Sequence, residues 1–357
     1  MLAIKNNSLL KGAKNALEDE FLSERKRQIL YNAVDNYIKL ASPITSLLVQ
    51  QTKLHDLSTA TIRNELNALE AMGYLKQLHT SSGRVPTTKG YRFYVNHTLE
   101  STDIQGADLG DISSEMFART SSLSEIVESI SQVVSKITHY PTVVYFDGFD
   151  NLVVKSIKVI YLLTSQLLIL IETNAGAITH TVSASNKITP QDCENASNAF
   201  TSIFAGKSMS FMTGNASDFS AKIKSAMSEY EEVFKLVLHA VDMYYNKTKS
   251  NVSSHGIVGL LDNKGIESAK RILTVLDDGD GVESIVDKEN NSQISVRIGK
   301  ENDNEMLSDC SVIQAPLVLD GKRIATAVVV GPERIDYASI ASVLKFISDE
   351  VKNKTGR

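Results

Sequence analysis

The chain has 357 residues, 42% of them hydrophobic and 22% charged, a balance that excludes a disordered chain and leaves room for two or three domains with cores of their own. Its two cysteines, Cys193 and Cys310, match neither a disulfide framework nor a zinc-ligand spacing, which points to a reducing compartment. The formal net charge of −5 hides a polarity, because residues 22–98 hold ten Lys/Arg against five Asp/Glu while residues 99–357 carry the acidic excess. One basic module on an acidic body is the distribution expected when a single domain contacts nucleic acid.

Residues 1–21 read as a weakly structured leader, since charges run through them and no apolar core of the signal-peptide kind is present. Ser23 can cap a helix through its hydroxyl, and Ile29, Leu30, Ala33, Val34, Tyr37 and Ile38 repeat behind it at helical spacing. Thr45 can cap a second, short helix ending near Leu54, with Ile44 stapled onto Val49. Asp56 and Ser58 offer caps for a third helix that runs to about Met72 and stops at Gly73, the residue type expected just past a helix end. Residues 74–79 predict a strand and residues 80–84 a turn. Val85 and Pro86 return as an edge strand, because proline cannot donate to a ladder interior. Thr87 then caps a helix through Tyr91, Tyr94, Val95 and Leu99. Three helices, a hairpin and a fourth helix predict a winged helix-turn-helix over residues 22–100.

Residues 101–118 are polar, as a linker is. Beyond them Ile126, Ile130, Val133, Val134 and Ile137 mark an amphipathic helix, and Thr142–Phe146, Val153–Leu163 and Leu167–Glu172 read as strands. Asn174, Ala175 and Gly176 turn the chain into a further strand, Ile178–Val182. The most apolar run, Val159–Ile171, contains Thr164, Ser165 and Gln166, is too short to span a bilayer and reads as buried strand. From Pro190 to about Asp277 the pattern is largely helical; Asp277–Gly281 fits a polar turn better than a calcium loop. Strands return at Ile294–Ile298, and Asp320-Gly321 is a two-residue hairpin signal between Ala315–Leu319 and Ile324–Val330. A closing helix presents Ile340, Val343, Leu344, Ile347 and Val351 on one face. The whole is α+β and multidomain: one α/β domain over residues 119–188 and 292–357, interrupted by a largely helical insertion over residues 189–291.

The third helix carries the sharpest chemistry. Ile62, Leu66, Leu69 and Met72 form the expected buried stripe, and the other faces show Thr59, Thr61, Arg63, Asn64 and Asn67. Arg pairs bidentately with guanine, Asn with adenine, and Thr can donate or touch a thymine methyl, so these five are the base-reading candidates. An ordinary surface helix shows a similar composition, and the hairpin tips the balance. Ser81, Ser82, Gly83 and Arg84 put hydroxyls, amides and a guanidinium at a turn, with Arg84 at its tip, suited to phosphates or a narrow minor groove. Ser58, Lys76, His79 and Lys89 complete the backbone-contact candidates. Arg25, Lys26 and Arg27 fit phosphate contact and a solvated first helical turn equally well.

Residues 22–99 resemble the HrcA family of heat-inducible transcription repressors, above all in Leu57–Glu65 and in the run from His79 to Val95 that contains Ser82-Gly83-Arg84-Val85-Pro86-Thr87. Val296–Asn302, Leu307–Ser311 and Gly331–Ala338 are similar to the same family and follow in the right order, while Gly256–Gly265 keeps only part of the family's pattern. The resemblance implies a dimeric repressor that binds an inverted-repeat operator in double-stranded DNA upstream of chaperone operons. It implies a winged helix, a GAF-like domain and a dimerisation domain inserted into the latter. It also implies a GroE-type chaperonin as the partner that keeps the repressor active until unfolded protein titrates it away.

No phosphate-loop or nucleophile-elbow motif is present and the seven histidines form no metal-ligand pair, so no catalytic, cofactor or metal site is expected. No membrane segment is expected either, and a cytoplasmic, nucleoid-associated protein follows. Two further readings stay open: a winged-helix regulator whose GAF-like domain senses a small ligand, and a catalytic GAF-like domain carrying a DNA-targeting module.

Overall fold

The computed structural model describes residues 22–53, 55–77, 83–100, 123–146, 148–162, 165–214, 225, 228, 230–248, 250–253, 256–277, 279–287, 289 and 293–353. The N-terminal module is built from α1 (Glu24–Leu40), α2 (Ser46–Lys53), α3 (Thr59–Ala71), an antiparallel ribbon of β1 (Leu75–Gln77) and β2 (Arg84–Pro86), and α4 (Thr88–Glu100). The hydroxyls of Ser23, Thr45 and Ser58 accept from the amides of Lys26, Leu48 and Thr61 at 3.4, 3.2 and 3.1 Å, so each of the first three helices starts on a side-chain cap. Ile29, Leu30, Val34, Val49, Ile62, Leu66, Leu69, Tyr74 and Phe93 fill one buried core. Within it the Tyr94 hydroxyl donates to Asp35 at 3.1 Å; burial, then the Asp35 charge, pushes the phenol far above its ordinary range and keeps it a neutral donor. Met72 lies outside the expected buried stripe. The helix ends at Ala71, and the Met72 side chain is 40% exposed.

A second unit is organised on a five-stranded antiparallel sheet of β3 (Thr142–Tyr145), β7 (Ser250–Ser253), β8 (Ser295–Ile298), β9 (Cys310–Leu319) and β10 (Lys322–Pro332), in the order β7-β3-β10-β9-β8. Asp320 and Gly321, at φ of 50° and 75°, make the two-residue turn between β9 and β10. The central strands are apolar on both faces. Val144, Ile313, Ala315, Ala327 and Val329 face α5 (Leu123–Thr138) and α11 (Tyr337–Asn353). Their neighbours Val143, Tyr145, Val312, Val328 and Val330 join Ile272, Leu276 and Ile285 from α9 (Ile257–Asp277) and α10 (Gly279–Ile285). A sheet covered on both sides reads as continuous apolar runs rather than alternation, which is why β9 and β10 are legible but longer than expected.

The chain between β3 and β7 forms a third unit. Strands β4 (Val154–Leu162), β5 (Gln166–Thr173) and β6 (Ala177–Ser183) make a sheet of their own, joined by α6 (Pro190–Phe204), α7 (Met209–Thr213) and α8 (Glu231–Thr248). Helix α6 covers the open edge of β4: Ile157 N–H donates to Thr201 Oγ1 at 2.9 Å and Val159 N–H to Ser197 Oγ at 2.8 Å. Where α6 meets α8, Phe234 stacks on Phe204 at 5.8 Å and meets Phe200 edge to face at 5.2 Å between ring centroids.

Two expectations change. The expected helical stretch from Pro190 to Asp277 contains β7, whose partner β3 lies a hundred residues away in sequence. The run Val159–Ile171 spans the end of β4 and most of β5, the two strands expected there. Residues 279–281 open α10 instead of forming a turn.

Between β8 and β9 the buried Asn302 side chain donates from Nδ2 to the carbonyls of Gly299, Leu307 and Cys310 at 2.9, 2.9 and 2.8 Å. Asn302→Ala strands these carbonyls in a site 2% exposed. It is expected to lower the unfolding free energy by about 3 kcal/mol in a denaturant titration. A change below about 1 kcal/mol would show that water replaces the amide.

Candidate nucleic-acid interface

Helix α3 turns Ile62, Leu66 and Leu69 inward and leaves Ala60, Arg63, Asn64, Asn67 and Ala71 exposed, a stripe fixed by the 3–4 spacing of the buried three. Among the described residues, Arg63 and Asn64 make no ion pair or side-chain hydrogen bond and so present their donors to solvent. Thr59 and Thr61 are half-buried at the helix start. Thr61 is held there, its hydroxyl 2.8 Å from the capping Ser58 Oγ. Lys26 pairs with Glu65 at 2.9 Å, which ties α1 to α3 and uses a cation that the Arg25–Arg27 cluster offered; Arg27 Nε donates to Leu22 O at 3.1 Å. The exposed face of α3 therefore presents Arg63 and Asn64, with Asn67 one turn on and the small Ala60 between them and the helix start.

The ribbon sits against this helix through Arg84. Arg84 does not stand at the tip of the hairpin: it opens β2 opposite Gln77, and its guanidinium turns back onto α3. Nε donates to Glu70 Oε2 at 2.8 Å and Nη2 to Asn67 Oδ1, and the side chain is only 13% exposed. The physical reason is local. Ile44 exchanges two backbone bonds with Arg84, at 2.7 and 2.9 Å, and adds a one-residue third strand that swings the ribbon base over the end of α3. Gly83 makes this approach possible, because a Cβ there would lie 2.6 Å from Ile44 O.

Lys76 is exposed on β1. Lys89 reaches the end of α3 from α4: its ammonium lies 4.3 Å from the Tyr74 ring centroid and donates to Met72 O at 3.3 Å. His79, Ser81 and Ser82 lie outside the described residues. The structure thus brings Arg63, Asn64, Asn67 and Arg84 to one edge of the module and sets Lys76 and Lys89 beside it. Glu70 had no motif signal of its own, and the staple and the turn that marked Ile44 and Gly83 gave no sign that Ile44 would pair with Arg84. The one available clue to Glu70 was its position one turn beyond Asn67 on a helix otherwise free of acidic residues after Glu65. Among the described residues no group of three or more His, Cys, Asp or Glu stands close enough to hold a metal, and no helix is long and apolar enough to cross a membrane.

Against this geometry the comparisons with known proteins are specific. A family model described as HrcA protein C terminal domain matches residues 124–341. A protein of Acetivibrio thermocellus named heat-inducible transcription repressor HrcA is 30% identical across 94% of this chain and 97% of its own length. A protein of Clostridioides difficile with the same name is 30% identical across 93% of this chain and 99% of its own. These relatives are named as repressors rather than as enzymes. A crystal structure described only as that of a hypothetical protein shares the fold, with a TM-score of 0.67 at 21% identity over 93% of this chain and 98% of that one.

The Arg84 bridge makes a local prediction. Arg84→Ala is expected to speed hydrogen exchange of the ribbon amides about tenfold, equivalent to ~1.4 kcal/mol of easier opening. Unchanged exchange would mean that the Ile44 backbone pair alone holds the ribbon.

Proposed function

The chain belongs to the HrcA family of heat-inducible transcription repressors, and from that premise we propose that it represses heat-shock genes by binding an inverted-repeat operator as a dimer. Residues 22–100 act as a winged helix-turn-helix. Helix α3 enters the major groove with Arg63 and Asn64 reading base edges, assisted by Asn67, Thr59 and Thr61. The ribbon is the wing, and Ser58, Lys76, His79, Ser81, Ser82 and Lys89 hold phosphates. Arg84 serves mainly to fix the wing to α3. The observation that carries this reading is the exposed, unpaired Arg63–Asn64 face on a module that is basic while the rest of the chain is acidic.

The five-stranded sheet with α5, α9, α10 and α11 is the GAF-like domain, and residues 149–248 form the inserted dimerisation unit. That unit leaves Ile160 on β4 and Met243 on α8 45% and 44% exposed, side chains that a second copy would cover. A GroE-type chaperonin keeps the repressor active in the cytoplasm, and its titration by unfolded protein releases the genes on heating. Family membership is the support for that partner.

A binding titration against an inverted-repeat heat-shock operator and a scrambled duplex, at two salt concentrations and with and without chaperonin, tests the reading. Specific binding at least ~10³-fold above the scrambled duplex is expected, with a steep salt slope. Arg63→Ala is expected to cost about 1–3 kcal/mol on the operator alone, whereas Lys76→Ala weakens both duplexes alike and lowers the salt slope by about one. Equal losses on both duplexes for Arg63→Ala would remove it from base readout.

A further inference from the structure

The reading module does not hang from the body by its linker alone. Among the described residues, the side chains of Arg92, Thr88 and Arg334 hold it to the five-stranded domain at three points. Arg92, in the middle of α4, donates from Nε to Glu301 Oε1 at 3.0 Å and from Nη2 to Glu301 Oε2 and, at 2.6 Å, to Val296 O. Thr88 Oγ1, in the first turn of α4, donates to Glu333 Oε1 at 2.9 Å. Arg334 Nη1 donates to Ile38 O, a carbonyl in the last turn of α1, at 3.1 Å, where a helix end favours a cation.

The receiving surface is built for this contact. Glu301 Oε2 also accepts from Ile298 N–H at 2.9 Å, so the carboxylate is held by its own turn before Arg92 reaches it. Asn302 pins the same turn from below. Gly299, at a φ of 57°, leaves the space through which Glu333 and Thr88 meet; a Cβ there would lie 2.4 Å from Glu333 Oε1 and 3.2 Å from Thr88 Oγ1. Tyr91 and Tyr337 are buried beside these bonds, with ring centroids 6.1 Å apart. Burial raises both phenols far above their ordinary range, so neither adds a charge to the seam. Two contacts on α4 and a third on α1 do not lie on one line, and three such points fix the orientation of a rigid body.

We propose that this clamp sets which separation of operator half-sites the protein accepts, with Arg92 and Glu301 as positioning residues that decide spacing specificity without touching DNA. The inference rests on the dimeric operator reading above. In a two-fold dimer the distance and angle between the two reading helices are fixed by everything between them, and half-site spacing mirrors that geometry. The exposed face of α3 carries none of the clamp residues, so docking leaves base contacts free. Loosening the clamp lets each reading head find its half-site over a wider range, at the cost of ordering it on binding.

The test uses the full chain and duplexes carrying identical half-sites with the spacer lengthened or shortened in one-base-pair steps, together with a duplex holding one half-site. The wild type is expected to prefer one spacer over neighbours two base pairs away by about tenfold or more. Arg92→Ala, and the milder Thr88→Val should the first prove unstable, are expected to shrink that preference to about threefold or less. Single half-site affinity should stay within about twofold of wild type. Arg92→Lys should recover part of the preference, because it keeps the charge and loses the paired geometry. A spacing profile as sharp as wild type in both variants, or an equal loss on the single half-site, overturns the proposal. Failure of the wild type to prefer any operator over the scrambled duplex would instead remove the reading on which it rests.

Discussion

Two apolar faces on one five-stranded sheet set most of the terms for this protein. Strands β9 and β10 bury nearly every side chain, so both sides of the sheet must be kept from water. Helices α5 and α11 take one side and α9 and α10 the other, and the covering elements come from segments more than a hundred residues apart. The chain between β3 and β7 is then free to leave as a unit with its own sheet and its own aromatic core, since its ends return to adjacent strands. The same arrangement builds the seat for the N-terminal module. The turn after β8 presents Glu301, the end of β10 presents Glu333, and α11 brings Tyr337 alongside.

The N-terminal module shows how basic charge is divided between internal pairing and the surface. Its basic excess looks like one pool in the sequence, but the structure spends several cations internally. Lys26 goes to Glu65, Lys39 to Asp35, Arg84 to Glu70 and Arg92 to Glu301. Among the described residues, Arg63 and Lys76 remain turned to solvent near the exposed stripe of α3. In the function proposed above, net charge steers the module toward a polyanion, while the specific contacts depend on the few groups left uncommitted.

The helices of the N-terminal module were legible because apolar spacing and capping hydroxyls mark them together, and Ser23, Thr45 and Ser58 all cap as expected. The exposed face of α3 was legible in part. Subtracting Ile62, Leu66 and Leu69 from α3 leaves Arg63, Asn64 and Asn67 exposed, and Thr59 and Thr61 half-buried at the helix start. Arg84 was misread because turn chemistry around Gly83 suggests a loop tip. Its true surroundings depend on Ile44 and Glu70, forty and fourteen residues away.

What the sequence determined by itself is what depends on neighbours a few residues apart: helix starts, the Asp320-Gly321 turn, the amphipathic faces, and a family resemblance carried by contiguous motifs. Only the tertiary structure decided how strands sort into sheets and which charged groups are consumed in holding units together. Strand β7 has no apolar alternation to mark it and becomes a strand because β3 offers an open edge. Glu301 and Glu333 look like ordinary surface carboxylates until α4 is laid across them. Pairing between distant segments follows from the shape of the assembled chain, and a one-dimensional pattern holds no record of which edges and carboxylates will meet.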